Sequence, residues 1–173
     1  MLDLLVNISI VQQILPVAKG FNGDKFKQYI REAQDLDLKS FMCDAFYYDL
    51  VINHETSIYQ TLLKGGEYVY EDETYHFQGI ETVLSYFSFA RYAMDSPVVS
   101  TSHGRVIKET NYSSPADLTQ RKDDYHRYRS DADSYWKDIK IFLDRNTDTY
   151  TKWECDDCDN SKKKTINIRV WKS

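Results

Sequence analysis

Between Gly79 and Asp95 the chain carries two apolar stripes on one helix. Ile80, Val83, Leu84, Phe87, Ala90, Arg91 and Met94 recur at three- and four-residue spacing, and Tyr86, Phe89 and Ala93 run beside them. A helix apolar on two faces must be covered twice. It therefore belongs at the centre of a bundle, or between a bundle and a neighbouring subunit.

Flanking segments supply the cover. Phe26, Tyr29, Ile30 and Ala33 recur at helical spacing while Lys25, Lys27, Gln28, Arg31 and Glu32 fill the other face, which predicts an amphipathic helix from about Asp24, started by Asn22-Gly23. A second helix is expected from Leu38, where Phe41, Met42, Ala45, Phe46 and Leu50 form a wide stripe that Tyr47 and Tyr48 widen further. Thr56 to Leu63 reads as a short helix stopped by Gly65-Gly66. Tyr68-Val69-Tyr70 and Tyr75-His76-Phe77 then flank Glu71 to Thr74 as a small hairpin with a four-residue loop. A second hairpin is expected to protrude from 97–114, with Val98-Val99 and Val106-Ile107 on its arms and a turn near His103-Gly104.

Ser114-Pro115-Ala116-Asp117 combines an N-cap serine, a proline at the first helical position and an acid in the first turn. The longest helix is therefore expected from Ser114 to about Asn146, roughly 45 Å. Its halves differ in kind. Arg121 to Asp133 is almost wholly charged and tyrosine-bearing, which predicts that it projects from the bundle or lies along another subunit, whereas Ala132, Tyr135, Trp136, Ile139, Phe142 and Leu143 face the core. Tyr150 to Trp153 and Thr165 to Trp171 alternate as strands do, with Asp156 to Lys164 between them. The second arm is edge-like and suited to pairing with another chain. The fold class expected is mainly α. A small helical bundle over 23–146 carries a long C-terminal helix and a protruding hairpin loop, with an N-terminal arm at 1–22 and a short β-hairpin tail at 147–173.

Size and charge narrow the function. One domain suits 173 residues, and a net charge of −5 argues against general phosphate binding, which needs a surplus of Lys and Arg on one face. The start is apolar but has Asp3 where a signal peptide would be basic, and no run approaches the roughly 20 apolar residues of a membrane span. A soluble protein without a membrane partner is expected. Fourteen tyrosines, rigid apolar bodies with polar tips, fit a chain with much contact surface.

Cys155-Asp156-Asp157-Cys158 is the one constellation with metal-ligand spacing, and Cys155 and Cys158 are weak candidates because a closed zinc site needs four ligands. Cys43 lies in an apolar stripe, where a small buried thiol is ordinary. Three cysteines do not read as a disulfide framework and fit a reducing compartment. His54, His76, His103 and His126 have no nucleophile or carboxylate at a spacing that fixes an acid–base pair, and no glycine-flanked serine or glycine-rich phosphate loop occurs. No enzyme and no cofactor are expected. The mixed helix carries Arg121, Lys122, Arg127 and Arg129 among acids that cancel their field, which suits a wall that DNA slides past better than a specific reader.

Several of these segments together resemble the head-to-tail connector (adaptor, or head-completion) proteins of tailed bacteriophages, in the form found in the crAss-like group. The resemblance rests on Phe46-Tyr47-Tyr48-Asp49-Leu50, the helix from Gly79-Ile80 to Tyr92-Ala93, and Val99-Ser100-Thr101-Ser102-His103-Gly104-Arg105-Val106. The long helix ending in Tyr135-Trp136 and Phe142-Leu143 completes it. It implies a ring, typically of twelve copies, docked beneath the portal protein, touching adjacent neck or tail rings and continuing the DNA channel. The setting implied is the virion neck, with synthesis in the bacterial host cytoplasm. Carried over by position, Val98, Val99, His103, Arg105, Val106 and Ile107 would contact neighbouring subunits or the portal, as would Ile166, Ile168, Val170 and Trp171. Tyr125 and Tyr128 on the charged half-helix join that expected interface. Two alternatives stay open: another neck component such as a stopper or tail-completion protein, and a small zinc-dependent binding module.

Overall fold

The computed structural model describes residues 3–15, 23–95, 98–102, 104–107 and 117–154. Among them the helices are α1 (Ile8–Ile14), α2 (Gly23–Glu32), α3 (Asp44–Asn53), α4 (Ser57–Lys64), α5 (Ile80–Asp95) and α6 (Leu118–Arg145). Two separate antiparallel hairpins join them, β1 (Gly65–Tyr70) with β2 (Glu73–Gln78), and β3 (Val98–Thr101) with β4 (Gly104–Ile107). The fold is mainly α.

Helix α5 is the central element, as its two stripes require. Ile80, Val83, Leu84 and Phe87 are fully buried, and α6, α2, α1 and α4 all pack on it. Its second stripe is covered from within the chain. The Tyr86 ring lies 5.2 Å from Tyr135, and Phe89 meets Tyr128 edge-on at 4.8 Å between centroids.

That cover corrects the expectation for α6. Its charged half does not project: it runs along α5, with Arg121 only 7% exposed and Arg129 lying 5.0 Å over the Phe87 ring. Long arginine stems bury as hydrocarbon while their heads find partners, so a count of charges overstates how polar such a face is. Of the N-terminal arm expected at 1–22, the described residues 3–15 likewise pack into the bundle. Asn7 caps α1 by accepting from the Ile10 amide at 3.0 Å, and Leu5, Val6 and Val11 enter the main core.

The stretch after α2 departs most from a simple helix. A π-helical turn, Ala33–Asp37, and a 3-10 turn, Leu38–Phe41, lead to an extended Met42 and Cys43, so the helix expected from Leu38 is broken there and α3 begins at Asp44. The wide turn aims two polar side chains inward. Gln34, fully buried, accepts from the Leu5 amide and donates to the Asp3 carbonyl, both at 2.9 Å, and so fastens the N-terminal segment. Asp37 faces the α5–α6 seam.

Three boundaries differ from expectation. α6 starts at Leu118 with Asp117 as its cap, its carboxylate accepting from the Gln120 amide at 2.8 Å, so the cap is not Ser114; residues 114–116 lie outside those described. Asp117 is extended (ψ 169°), and its acid serves as the cap instead of sitting in the first turn. Tyr150 to Trp153 is not a strand. Thr151–Glu154 is a 3-10 turn, and Tyr150 and Trp153, three residues apart, both enter the core, Trp153 lying edge-on to Phe46 and Trp136. The second expected arm, Thr165 to Trp171, lies outside the described residues. The first hairpin turns on two residues, not four, because Glu73 and Thr74 pair with Tyr70 and Val69, leaving Glu71 and Asp72 at φ 51° and 64°.

A glycine pair joins α4, the first hairpin and α5. Gly65 (φ 76°) ends α4 in the left-handed region, and a Cβ on Gly79 would collide with the Leu63 carbonyl and the Gly65 amide.

Candidate interaction surface

The β1–β2 hairpin is held by aromatic burial. Phe77 stacks on Phe142 of α6 at 4.1 Å and 14°, and Tyr68 meets Phe142 edge-on at 5.0 Å. The Arg145 guanidinium lies 4.0 Å over Tyr75 and 4.6 Å over Tyr70, and donates to the Tyr68 hydroxyl at 2.9 Å. Behind this hairpin a groove of about 380 Å³ is lined by Ile58, Thr61, Tyr68, Phe142 and Tyr150.

The β3–β4 hairpin carries the sequence-predicted contact residues. Val98 pairs with Ile107, Val99 with Val106 and Ser100 with Arg105. The turn falls where expected. Among the described elements, no other packs extensively on either strand. His103, Ile166, Ile168, Val170, Trp171, Cys155 and Cys158 lie outside the described residues. The two predicted α6 tyrosines separate: Tyr128 is half-buried against Phe89, while Tyr125 borders a cleft of about 220 Å³ between α2 and α5 that Lys25, Tyr29, Glu32 and Asp95 also line.

Polar order concentrates at this end. Asp37, 6% exposed, accepts from Arg91 Nε and from Arg129, each at 2.8 Å, and Arg91 also reaches Glu32 at 3.2 Å. Arg121 donates to the Met94 carbonyl at 2.9 Å and so caps α5, while its buried Nε has no hydrogen-bond partner among the described residues. Tyr29 donates to Asp95 at 3.1 Å, and burial together with that carboxylate drives its pKa upward. Burial and the neighbouring Tyr135 push Tyr86 up to about 12. These groups are committed to one another and form no nucleophile–base pair. The sequence held no periodic signal for the Asp37 cluster, because its members are 54 and 92 residues apart.

At the opposite end Asp49 gathers the C-terminal turn. It accepts from Lys152 at 2.6 Å, from Asn53 at 2.9 Å and from the Tyr59 hydroxyl. Burial opposes its ionisation, but the bonds from Lys152 and Tyr59 outweigh that and hold the carboxyl below its ordinary value. Cys43 corrects the sequence reading. It is buried, but at the N-cap of α3 and not inside a helix stripe, its Sγ lies 3.8 Å from the Lys152 carbonyl, and it is disulfide-bonded.

Large apolar side chains stay open to solvent at Leu36 (61%), Ile52 (69%) and Val69 (70%). Among the described residues no group of three or more His, Cys, Asp or Glu side chains is placed to hold a metal, and no helix is long and apolar enough to cross a membrane. No curated protein and no solved structure matches the chain. A family model does, over residues 38–163, from the 3-10 turn before α3 to beyond the turn that follows α6. The chain thus belongs to the family of unknown function DUF6712.

Proposed function

We propose that this protein is a structural subunit of the head-to-tail neck of a tailed bacteriophage, forming a ring that docks under the portal and continues the DNA channel. The observation that carries the reading is the β3–β4 hairpin: its ladder, which includes Val98, Val99, Val106 and Ile107, pairs with no other strand among the described residues and lies in sequence between the two longest described helices. A ladder of this kind has open edges and suits addition of a strand or loop from another chain. Exposed Leu36, Ile52 and Val69 add apolar area to the same argument. The contact between copies would be heterologous, one patch meeting a different patch, with closure set by rotation. The protein has no enzymatic role in this reading. It works by docking and sealing.

Native mass measurement and electron microscopy of the chain, alone and mixed with a portal protein from the same source, test this reading. Rings, alone or on the portal, are expected. A chain that stays monomeric with its portal and is absent from virions would overturn the reading.

A further inference from the structure

The groove behind the first hairpin is uncharged. Ser57, Ile58 and Thr61 of α4 line it together with Tyr68 of β1 and with Phe142 and Asn146 from the C-terminal end of α6, and among the described residues no acidic or basic side chain does. A charge of each sign stands next to that lining in the chain. Glu55, exposed, lies two residues before Ser57, and its carboxylate has no ion pair or hydrogen bond among the described residues. Arg145 precedes Asn146 and donates to the Tyr68 hydroxyl; its guanidinium is held over the Tyr75 and Tyr70 rings and meets no carboxylate among the described residues. Apolar side chains stand open beside both charges. Ile52 (69%) and Ile58 (46%) are each three residues from Glu55, and Ile141 (45%) is one helical turn before Arg145.

We infer that this groove is an interface between two copies of the chain related by a two-fold axis, in which Glu55 of each copy pairs with Arg145 of the other. A two-fold contact is isologous, so a surface that carries both charges about one apolar strip complements itself and forms each ion pair twice. Within a single chain the two charges do not meet. The tyrosine rings hold the guanidinium in place before contact, and its planar fork can take a carboxylate through two hydrogen bonds. Tyrosine and arginine are also the residue types that carry much of the binding energy where protein surfaces meet. Nucleic acid is the poorer occupant, because Glu67, Glu71, Asp72 and Glu73 of the same hairpin and Asp148 beside the groove repel a phosphate chain. The contact is separate from the heterologous one of the connector reading. The β3–β4 hairpin takes no part in it, and it would join two chains or two rings alike.

Native mass measurement and sedimentation equilibrium of the full chain without portal, across a concentration series at low and high salt, test this interface. The expected particle is twice the unit, a pair of chains or a pair of rings, and salt weakens it as it weakens exposed ion pairs. E55R changes an exposed side chain with no partner in the fold and sets two like-charge pairs in the contact, so association should weaken about tenfold or more and the particle mass should halve. R145E should act in the same way. An equimolar mixture of E55R with R145E restores both pairs in a mixed dimer and should recover the wild-type mass. E55R associating as tightly as wild type, a mixture of folded variants that stays at half mass, or a wild type that never doubles would each overturn the interface. Because R145E could loosen the hairpin stacked on Arg145, I52D at the exposed end of α3 gives a further variant: its association should also weaken about tenfold, and unchanged association would equally sink the proposal.

Discussion

The two hairpins share an antiparallel ladder and little else. β1–β2 carries Tyr68, Tyr70, Tyr75 and Phe77 and is stacked onto α6 through Phe142 and Arg145. β3–β4 has no aromatic residue and no extensive neighbour among the described elements. An isolated two-stranded ribbon is marginal in water, so the first hairpin draws its stability from the bundle. The second must draw it from elsewhere. The contrast separates a piece of the core from a ladder that no other described element covers extensively.

The strongest way to break this comparison is Phe77→Ala. Removing a buried ring stacked on Phe142 should lower unfolding stability by about 3–5 kcal/mol, read from urea midpoints. A loss under about 1 kcal/mol would mean that β1–β2 rests on the bundle no more than β3–β4 does. The next effect is a gain. Glu71 and Asp72 hold left-handed conformations that suit Asn-Gly, so E71N/D72G should stabilise the protein by roughly 1 kcal/mol in the same assay.

A smaller effect is pH-dependent. Tyr150, which supports Phe142 beneath the first hairpin, precedes the turn that Asp49 ties to α3 through Lys152. The Asp49 carboxyl is depressed in the folded state, so its stabilisation is complete above the unfolded value of about 3.9 and is lost as pH falls through the folded one. D49N should flatten the acid limb of a pH–stability curve and leave its shape near neutrality unchanged. Least of all, replacing 98–107 with a Gly/Ser linker should move the urea midpoint hardly at all while abolishing ring or portal assembly. A large loss of stability would show that the second hairpin is core as well.

Much of this was legible in the residues. The double stripe of α5, the Gly65 stop and both hairpins follow from periodicity and turn chemistry, because each is encoded within a few residues. What escaped was non-local or hidden by side-chain type. The break at Met42-Cys43 comes from a π-helical turn whose purpose, turning Gln34 and Asp37 inward, depends on partners far along the chain. Tyr150 and Trp153 read as a strand by alternation, although a spacing of three fits a helical turn equally well. The charged half of α6 reads as a solvated face because a sequence shows the charged heads of Arg121 and Arg129 and not where their hydrocarbon stems pack. Of the candidate surface, the β3–β4 ladder was readable from sequence; the placement of Cys43 at a helix start was not.

Helices with broad apolar faces, such as α5 and α6, can slide past one another at little hydrophobic cost, since one greasy turn resembles the next. The Asp37 carboxylate removes that freedom. A one-turn slip of α6, about 5.4 Å, would carry Arg129 out of reach and strand half of a nearly dry charge. With Arg91 fixing α5 against the same group, a single acid sets the alignment of both long helices. The distance from the Asp37 seam to the turn after α6 is thereby a fixed length, the property that the assembly proposed above would need from each of its parts.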